Sequence, residues 1–314
     1  MTASAKEEYG FFGKWWQFAK ERFDPFSHSL MISLFIVAHY VVVAVDLGKK
    51  FPADFGGEGA WRHFALALGV CAFFFKLRLY DEIKDYEVDC EINRDRPLVR
   101  GLVTHKDLYS GIAVCIATEV ITFGLLGTAA LVAIVFSIAY SLLMYKEFFI
   151  GEQLRPYLTT YAVMHTIVCS FLSLSMFSAI EGRYVHLLHR DLLFFSLNCW
   201  FLFNIFEFGR KTFNSKEERE NVDSYSHIFG RYGAVFLVLA MAVISGGLLV
   251  STRLVTKGVF ATVMAVFVGI LVVLGGLYAA LDRKPFGAIY RGMSSGYIVL
   301  VLGGVIVLHL MDKL

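Results

Sequence analysis

The sequence predicts an all-α integral membrane protein with about nine transmembrane helices in one bundle. Of its 314 residues, 57% are hydrophobic and only 18% are charged, which is a composition suited to lipid. The long apolar runs do not alternate with polar residues as barrel strands would. Since every backbone amide inside hydrocarbon must be paired within its own segment, these runs are expected to be helices.

The first 27 residues mix charged and aromatic side chains and show no cleavable signal peptide. This mixture predicts an amphipathic helix that lies in the membrane interface and ends near Pro25. A soluble tail remains an equal alternative. We therefore divide the chain into an interfacial N-terminal segment, 1–27, and a nine-helix domain, 28–314.

Nine apolar runs follow in that domain, and most connections between them are short. Two connections are long and densely charged, the first loop (80–107) and the second loop (209–231), and both are candidate functional loops. The five cysteines are too scattered for a disulfide framework and are expected to be small core residues. The predicted spans are 29–47, 61–79, 108–126, 129–145, 157–180, 192–208, 232–250, 259–281 and 293–311.

The distribution of lysine and arginine predicts the orientation of the chain. Counting the charged ends of span 2 with the connections next to them, 21 of 29 basic residues fall on the side of the N-terminus and the connections after spans 2, 4, 6 and 8, against 8 on the other side. The positive-inside rule places the larger set in the cytoplasm. The N-terminus and both charged loops are therefore expected to be cytoplasmic, and the C-terminus outside.

The first loop carries Asp81, Asp85 and Asp89 at i, i+4 and i+8. On one helix these carboxylates share a face and repel each other, and a bound Mg²⁺ would compensate them together with waters and phosphate oxygens. The alternative is a solvated acidic face paired with Lys84 and Arg78. We favour the metal site because ionisable residues at the end of a membrane span are usually functional.

Basic residues accompany these carboxylates in both loops. Arg94 and Arg96 follow the acidic stripe, and their guanidinium groups suit diphosphate oxygens or anionic lipid head groups. The second loop repeats the mixture of acids and bases. The residues concerned are Glu207, just before the loop, and Arg210, Lys211, Asn214, Glu217, Glu218, Arg219 and Asp223 within it. Two such clusters on one face of a bundle could hold a metal and a polyanion between them.

These residues resemble the UbiA superfamily of intramembrane prenyltransferases, which have nine helices and two aspartate-rich loops after helices 2 and 6. The family motif N-D-x-x-D-x-x-x-D is similar to Asp81-Glu82-x-x-Asp85-x-x-x-Asp89, and its R-P-x-x-x-G-x-x-(S/T) tail is similar to 96–104. The second family motif, D-x-x-x-D, is similar to Asn214-x-x-x-Glu218. Here both usual aspartates are replaced, so Glu207 or Glu217 could be the ligand instead.

The resemblance implies Mg²⁺-dependent transfer of a prenyl group from an isoprenyl diphosphate to a lipophilic acceptor, with release of diphosphate. The candidate catalytic residues are Asp81, Asp85, Glu207 and Glu218. The candidate metal ligands are Asp81, Asp85, Asp89, Asn214, Glu217 and Glu218. The candidate substrate-binding residues are Lys84, Arg94, Arg96, Tyr145, Lys146, His165, Arg210 and Lys211.

Two other functions remain open. A terpene cyclase of the same fold would share the ionisation step and differ only in what traps the allylic cation. A transporter is less favoured, because transporters usually carry charges near the bilayer midplane and show internal repeats. The charges of this chain collect at one interface instead.

Overall fold

The computed structural model describes residues 10–219, 223–254 and 257–311, and the regular structure in these ranges is helical, without a strand. Within these ranges, thirteen α-helices are joined by three short 3₁₀ segments at Ala53–Glu58, Glu147–Phe149 and Val185–Leu187. The helices are α1 (Phe11–Arg22), α2 (Pro25–Asp46), α3 (Ala60–Lys84), α4 (Tyr86–Ile92), α5 (His105–Leu126), α6 (Thr128–Tyr145), α7 (Gly151–Leu154), α8 (Leu158–Thr166), α9 (Val168–Glu181), α10 (Arg190–Arg210), α11 (Tyr225–Ser251), α12 (Lys257–Leu281) and α13 (Lys284–Leu310).

Nine stretches in the described part of the chain are long and apolar enough to cross a bilayer, and they correspond to the nine predicted runs. The predicted fold class is confirmed. The fifth span is not one continuous helix, however, because the helix is interrupted at Ile167 between α8 and α9. Near the interruption, Trp200 Nε1 donates a hydrogen bond to the Val163 carbonyl, and the Tyr140 hydroxyl donates one to the Met164 carbonyl. Side chains thus bind carbonyl oxygens that would otherwise accept hydrogen bonds within the helix.

The ninth span begins earlier than the apolar pattern predicts. Helix α13 starts at Lys284, with a proline in its first turn, where the missing N–H of proline costs nothing. Arg291 therefore lies inside the helix and not in the connection before it. Similarly, α2 starts at Pro25, where the Asp24 carboxylate accepts a hydrogen bond from Ser27 N at 2.8 Å.

Helix α1 packs against the ends of α3 and α5. Phe18 is completely buried, and Trp15 covers Gly111 of α5. On the opposite face Phe12 and Trp16 are exposed, at 85% and 56%. The described part of the N-terminal segment is thus an amphipathic helix docked on the bundle, while its position in the interface stays a prediction; residues 1–9 lie outside the described residues.

Several polar side chains inside the bundle are paired across helices. Helices α3 and α5 pack along much of their length, and Lys76 Nζ lies 2.6 Å from Glu119 Oε2 with both side chains fully buried. Charges in a bilayer are tolerated chiefly in such pairs.

Helix α10 lies at the centre, in contact with α2, α8, α9, α11 and α13.

Candidate active site

A cavity of about 540 Å³ opens among α2, α3, α8, α9, α10 and α13. Most of its side chains fall into a charged group and an apolar group. The charged group comes from the ends of α3 and α10 and the residue that follows each, and it consists of Arg78, Asp81, Lys84, Asp85, Glu207, Arg210 and Lys211. The apolar group includes Phe74, Leu77, Val168, Phe203, Ile298 and Val299. The two loops predicted to face each other therefore begin at one cavity mouth.

Asp81 and Asp85 lie at the carboxyl end of α3 and both line the cavity. Asp81 Oδ2 lies 3.2 Å from Arg78 Nη1. Asp85 is exposed to the cavity, and within the described residues no side chain forms an ion pair or a hydrogen bond with it. The cavity walls displace bulk water around its carboxylate and Asp81 repels it, which together raise the pKa of Asp85 to about 6.

The third aspartate of the stripe does not share this face. The helix is interrupted at Asp85, between α3 and α4, so Asp89 turns away from the cavity and is buried, at 5% exposure. Its carboxylate accepts a hydrogen bond from Asn93 Nδ2 at 2.7 Å and lies 3.6 Å from Arg96 Nε. The expectation that the three aspartates form one continuous face is wrong for Asp89.

Glu82, which occupies the second position of the first motif, is also buried away from the cavity. Its Oε2 lies 2.5 Å from Arg22 Nε of α1, and its Oε1 accepts a hydrogen bond from Leu98 N at 3.1 Å. The carboxylate thus joins α1, α3 and the arginine-rich segment that follows α4. Only two of the four acidic positions of the motif face the cavity.

The last turn of α10 supplies the opposite wall. Glu207 Oε2 lies 2.6 Å from Arg210 Nε, and Glu207 Oε1 lies 3.0 Å from Lys211 Nζ. The i, i+3 and i, i+4 spacing places the three side chains on one face of the helix end. Because one carboxylate serves two cations, this wall carries an excess of positive charge toward Asp81 and Asp85.

The other predicted ligands of the second loop lie outside the cavity lining. Glu217 forms a two-pronged ion pair with Arg291 of α13, at 2.8 and 2.9 Å. The Asn214 side-chain amide donates to Glu217. Glu218 accepts hydrogen bonds from Ser224 and Ser226, each at 2.7 Å. Their role as metal ligands stays a prediction, and their oxygens have protein partners.

Lys84 and His165 meet at the side of the cavity. Lys84 Nζ lies 3.4 Å from His165 Nε2, and His165 Nδ1 lies 2.6 Å from the Tyr161 carbonyl. Since a carbonyl only accepts, Nδ1 carries the proton and Nε2 is the acceptor. The Tyr161 ring stacks on the imidazole at 3.9 Å, and its hydroxyl donates to Glu147.

The remaining predicted substrate-binding residues lie beside the cavity. Arg94 and Arg96 line a separate polar pocket of about 340 Å³ next to α1. Tyr145 stacks on the buried Tyr80 with ring centroids 4.7 Å apart, and the Lys146 ammonium lies over the Tyr145 ring. These four side chains do not touch the 540 Å³ cavity.

Three residues that lie at the site or support it are not among the functional residues predicted from the sequence. Tyr161 and His28 line the cavity, and Arg291 holds the second loop. The i, i+4 spacing of Tyr161 and His165 was a usable signal. Arg291 could have been found only by extending the last span to include its charged first turns.

The donor set fits one Mg²⁺ at Asp81 and Asp85. Mg²⁺ typically takes one or two carboxylates plus waters and phosphate oxygens, and the unpaired, repelled Asp85 carboxylate is the kind of ligand that a cation stabilises. Over the described ranges no group of three or more histidine, cysteine, aspartate or glutamate side chains could hold a metal ion. A fully protein-made metal cage is thus absent from those ranges.

Comparison with known proteins identifies the fold. The UbiA prenyltransferase family model matches residues 41–286, and no curated protein sequence matches the chain. The apo structure of a UbiA homolog from Aeropyrum pernix K1 is similar, with a TM-score of 0.58 and 16% identity over 90% of this chain and 98% of that one.

A second solved structure, described as digeranylgeranylglyceryl phosphate synthase in membranes, has a TM-score of 0.57 and 13% identity over 95% of this chain and 99% of that one. At these identities the likeness concerns the fold. The family match, however, spans well over half of the chain. Together with the apolar spans it shows an integral membrane protein, and the chain belongs to the UbiA prenyltransferase family.

Proposed function

We propose that the protein is a Mg²⁺-dependent prenyltransferase that moves a prenyl group from an isoprenyl diphosphate to a lipophilic acceptor. One observation carries the proposal: Asp81 and Asp85 line the same cavity as Arg210 and Lys211, and most of the remaining wall is apolar. An isoprenyl diphosphate likewise has a charged end, the diphosphate, and an apolar end, the hydrocarbon tail. The cavity volume of about 540 Å³ lies within the usual range of ligand sites.

The basic side chains would bind the diphosphate. Arg210, Lys211, Lys84 and Arg78 can donate hydrogen bonds to its oxygens, and Glu207 orients the first two. Mg²⁺ held by Asp81 and Asp85 would stabilise the negative charge that develops on the leaving group. The bond between prenyl C1 and the diphosphate oxygen breaks with its electron pair on diphosphate, and a bond from the acceptor to C1 replaces it.

The apolar wall would hold the prenyl chain and exclude water from the allylic cation. Phe74 and Phe203 stack with centroids 6.0 Å apart, and aromatic faces attract cations. His165 lines the cavity beside Lys84 and would contact the acceptor. When the acceptor bonds to C1 it loses a proton, and the departing diphosphate is a base able to take it.

Product analysis tests the proposal. Purified protein is incubated with Mg²⁺ and C10 to C20 prenyl diphosphates, with and without a membrane lipid extract, and products are identified by mass spectrometry. We expect a prenylated product that requires both the extract and Mg²⁺, with diphosphate released in equal amount. A cyclised hydrocarbon formed without extract would instead identify a terpene cyclase, and no diphosphate release in any mixture would refute both.

We propose further that the N-terminus and both charged loops are cytoplasmic and the C-terminus is outside. The support is the excess of lysine and arginine on that side. The test introduces single cysteines by Asp95→Cys and Ser215→Cys in a chain whose five native cysteines are replaced. A thiol reagent that cannot cross the membrane should leave both cysteines unlabelled in intact cells and label both in lysed cells. Labelling of both in intact cells would show that the topology is the reverse of the one proposed.

A further inference from the structure

The second loop is attached to α13 and to the segment before it. Arg291 donates to the Glu217 carboxylate with both terminal nitrogens and to the Thr212 carbonyl at 2.9 Å. Ser215 donates to Asp282 through its backbone N–H and its hydroxyl, at 3.0 and 2.7 Å. The described residues of this loop are therefore joined to a membrane helix by charged and hydrogen-bonded groups.

Two glycines allow this close approach. A Cβ at Gly209 of α10 would overlap Ser294 of α13, and a Cβ at Gly287 of α13 would lie 3.3 Å from Glu217 and 3.4 Å from the Asn214 amide. The absent side chains leave room for the loop against α13. Thr212, whose hydroxyl donates to the Gly209 carbonyl at 2.7 Å, links the end of α10 to the Arg291 contact.

The oxygens of this loop are poorly suited to a cation. Glu217 is already neutralised by Arg291, which holds the pKa of that carboxyl below its usual range. Asn214 brings no charge and donates to Glu217, and Glu218 is occupied by two serine hydroxyls. A metal ion here would take Glu217 from Arg291 and leave a partly buried guanidinium without a counter-ion, which is costly.

We propose that the described part of the second loop, 209–219 and 223–231, has a structural role and binds no metal ion. Arg291, paired with Glu217, holds it so that Arg210 and Lys211 form the cationic wall of a site with one metal position, at Asp81 and Asp85. The inference rests on the proposed function. Arg291 is a positioning residue: it contacts Thr212, which directly follows Lys211, and lies outside the cavity lining.

Counting bound ions tests the metal stoichiometry without turnover. Full-length protein in detergent is titrated with Mn²⁺, as a paramagnetic substitute for Mg²⁺, in the presence of an unreactive prenyl S-thiolodiphosphate, and bound ions are counted by electron paramagnetic resonance. We expect one ion per chain, lost in Asp85→Asn and kept in Glu217→Gln and Glu218→Gln. Two ions would overturn the inference, whereas no ion in the unmodified protein would overturn the proposed function.

Kinetics test the positioning role of Arg291. Because a displaced binding group weakens ligand contacts steeply, Arg291→Ala should raise the KM for the prenyl diphosphate about ten- to a hundredfold. The KM for the acceptor and the ion count should not change. Arg291→Lys should recover part of the loss, since it keeps the charge but not the two-pronged geometry.

Glu217→Gln tests the ion pair from its other partner, because it removes the charge of the carboxylate while leaving the Arg291 side chain in place. It should shift the diphosphate KM in the same direction as Arg291→Ala, by a smaller factor. A loss of bound metal in Glu217→Gln, or an unchanged diphosphate KM in both variants, would refute the positioning role.

Discussion

The two loops at the cavity mouth both carry acidic side chains but use them differently. In the first loop Asp81 and Asp85 line the cavity, and the Asp85 carboxylate has no ion-pair or hydrogen-bond partner among the described residues. In the second loop Glu217 and Glu218 are held by Arg291 and by serine hydroxyls. The difference shows that the availability of a carboxylate, and not its presence in a motif, decides whether it can bind a cation.

The same distinction divides the first loop itself. Asp85 is open to the cavity, while four residues further Asp89 is buried against Asn93 and Arg96. Glu82, three residues before Asp85, is buried against Arg22. The interruption of the helix at Asp85 turns Asp89 away from the cavity, whereas Glu82 lies on the buried side of α3. Asp81 and Asp85 thus line the cavity, while the other two carboxylates hold α1 and the arginine-rich segment in place.

The largest expected effect is on turnover. Asp85→Asn should lower kcat by about a hundredfold or more, because it removes a charge that supports leaving-group stabilisation. The measurement is the initial rate at saturating prenyl diphosphate and Mg²⁺, with membrane insertion checked by extraction. Asp89→Asn is the matched control and should retain most of the rate. A near-normal rate in Asp85→Asn would remove the contrast between the two aspartates.

The next effect is on stability. Glu82→Gln should destabilise the fold by about 3–5 kcal/mol, since it leaves Arg22 with no buried counter-ion. The thermal midpoint in detergent measures the change, and the Mn²⁺ affinity of the folded fraction should stay unchanged. If the affinity fell while the midpoint held, Glu82 would be a metal ligand, as its place in the motif would indicate.

A smaller effect concerns the pH dependence of the metal-free protein. In the folded protein the pKa of Asp85 is raised from 3.8 to about 6, so protonation of Asp85 stabilises the folded state. This stabilisation is complete below about pH 4 and is lost as the pH rises through about 6. Asp85→Asn should therefore raise the thermal midpoint at pH 7.5 in EDTA but hardly at pH 4. An equal increase at both values would contradict this electrostatic cause.

The smallest effect is expected at Asn214. Asn214→Asp should leave the Mg²⁺ concentration for half-maximal rate unchanged, because the position lies beside Glu217 and outside the cavity lining. A clear fall in the Mg²⁺ requirement would favour the sequence-based assignment of Asn214 as a ligand. The experiment thus weighs the motif alignment directly against the observed contacts.

The sequence by itself determined the fold class and the general position of the site. Apolar runs in lipid can satisfy their amides only as helices, and the two charged loops follow the second and sixth spans. The i, i+4 spacing of Asp81 and Asp85 survives in the structure because both lie at the end of one helix. These are local properties, set by residues close together along the chain.

Tertiary structure decided which charged residues remain available. The sequence could not show that Asp89 meets Arg96 across a helix break, nor that Glu217 pairs with Arg291, 74 residues away. Such pairs depend on which helices pack together. A buried charge without a partner is unfavourable, so each charged side chain pairs with an oppositely charged or polar group that the packing brings near it. The sequence supplied the carboxylates and the bases, and the packing of α3, α10 and α13 determined which of them face the cavity.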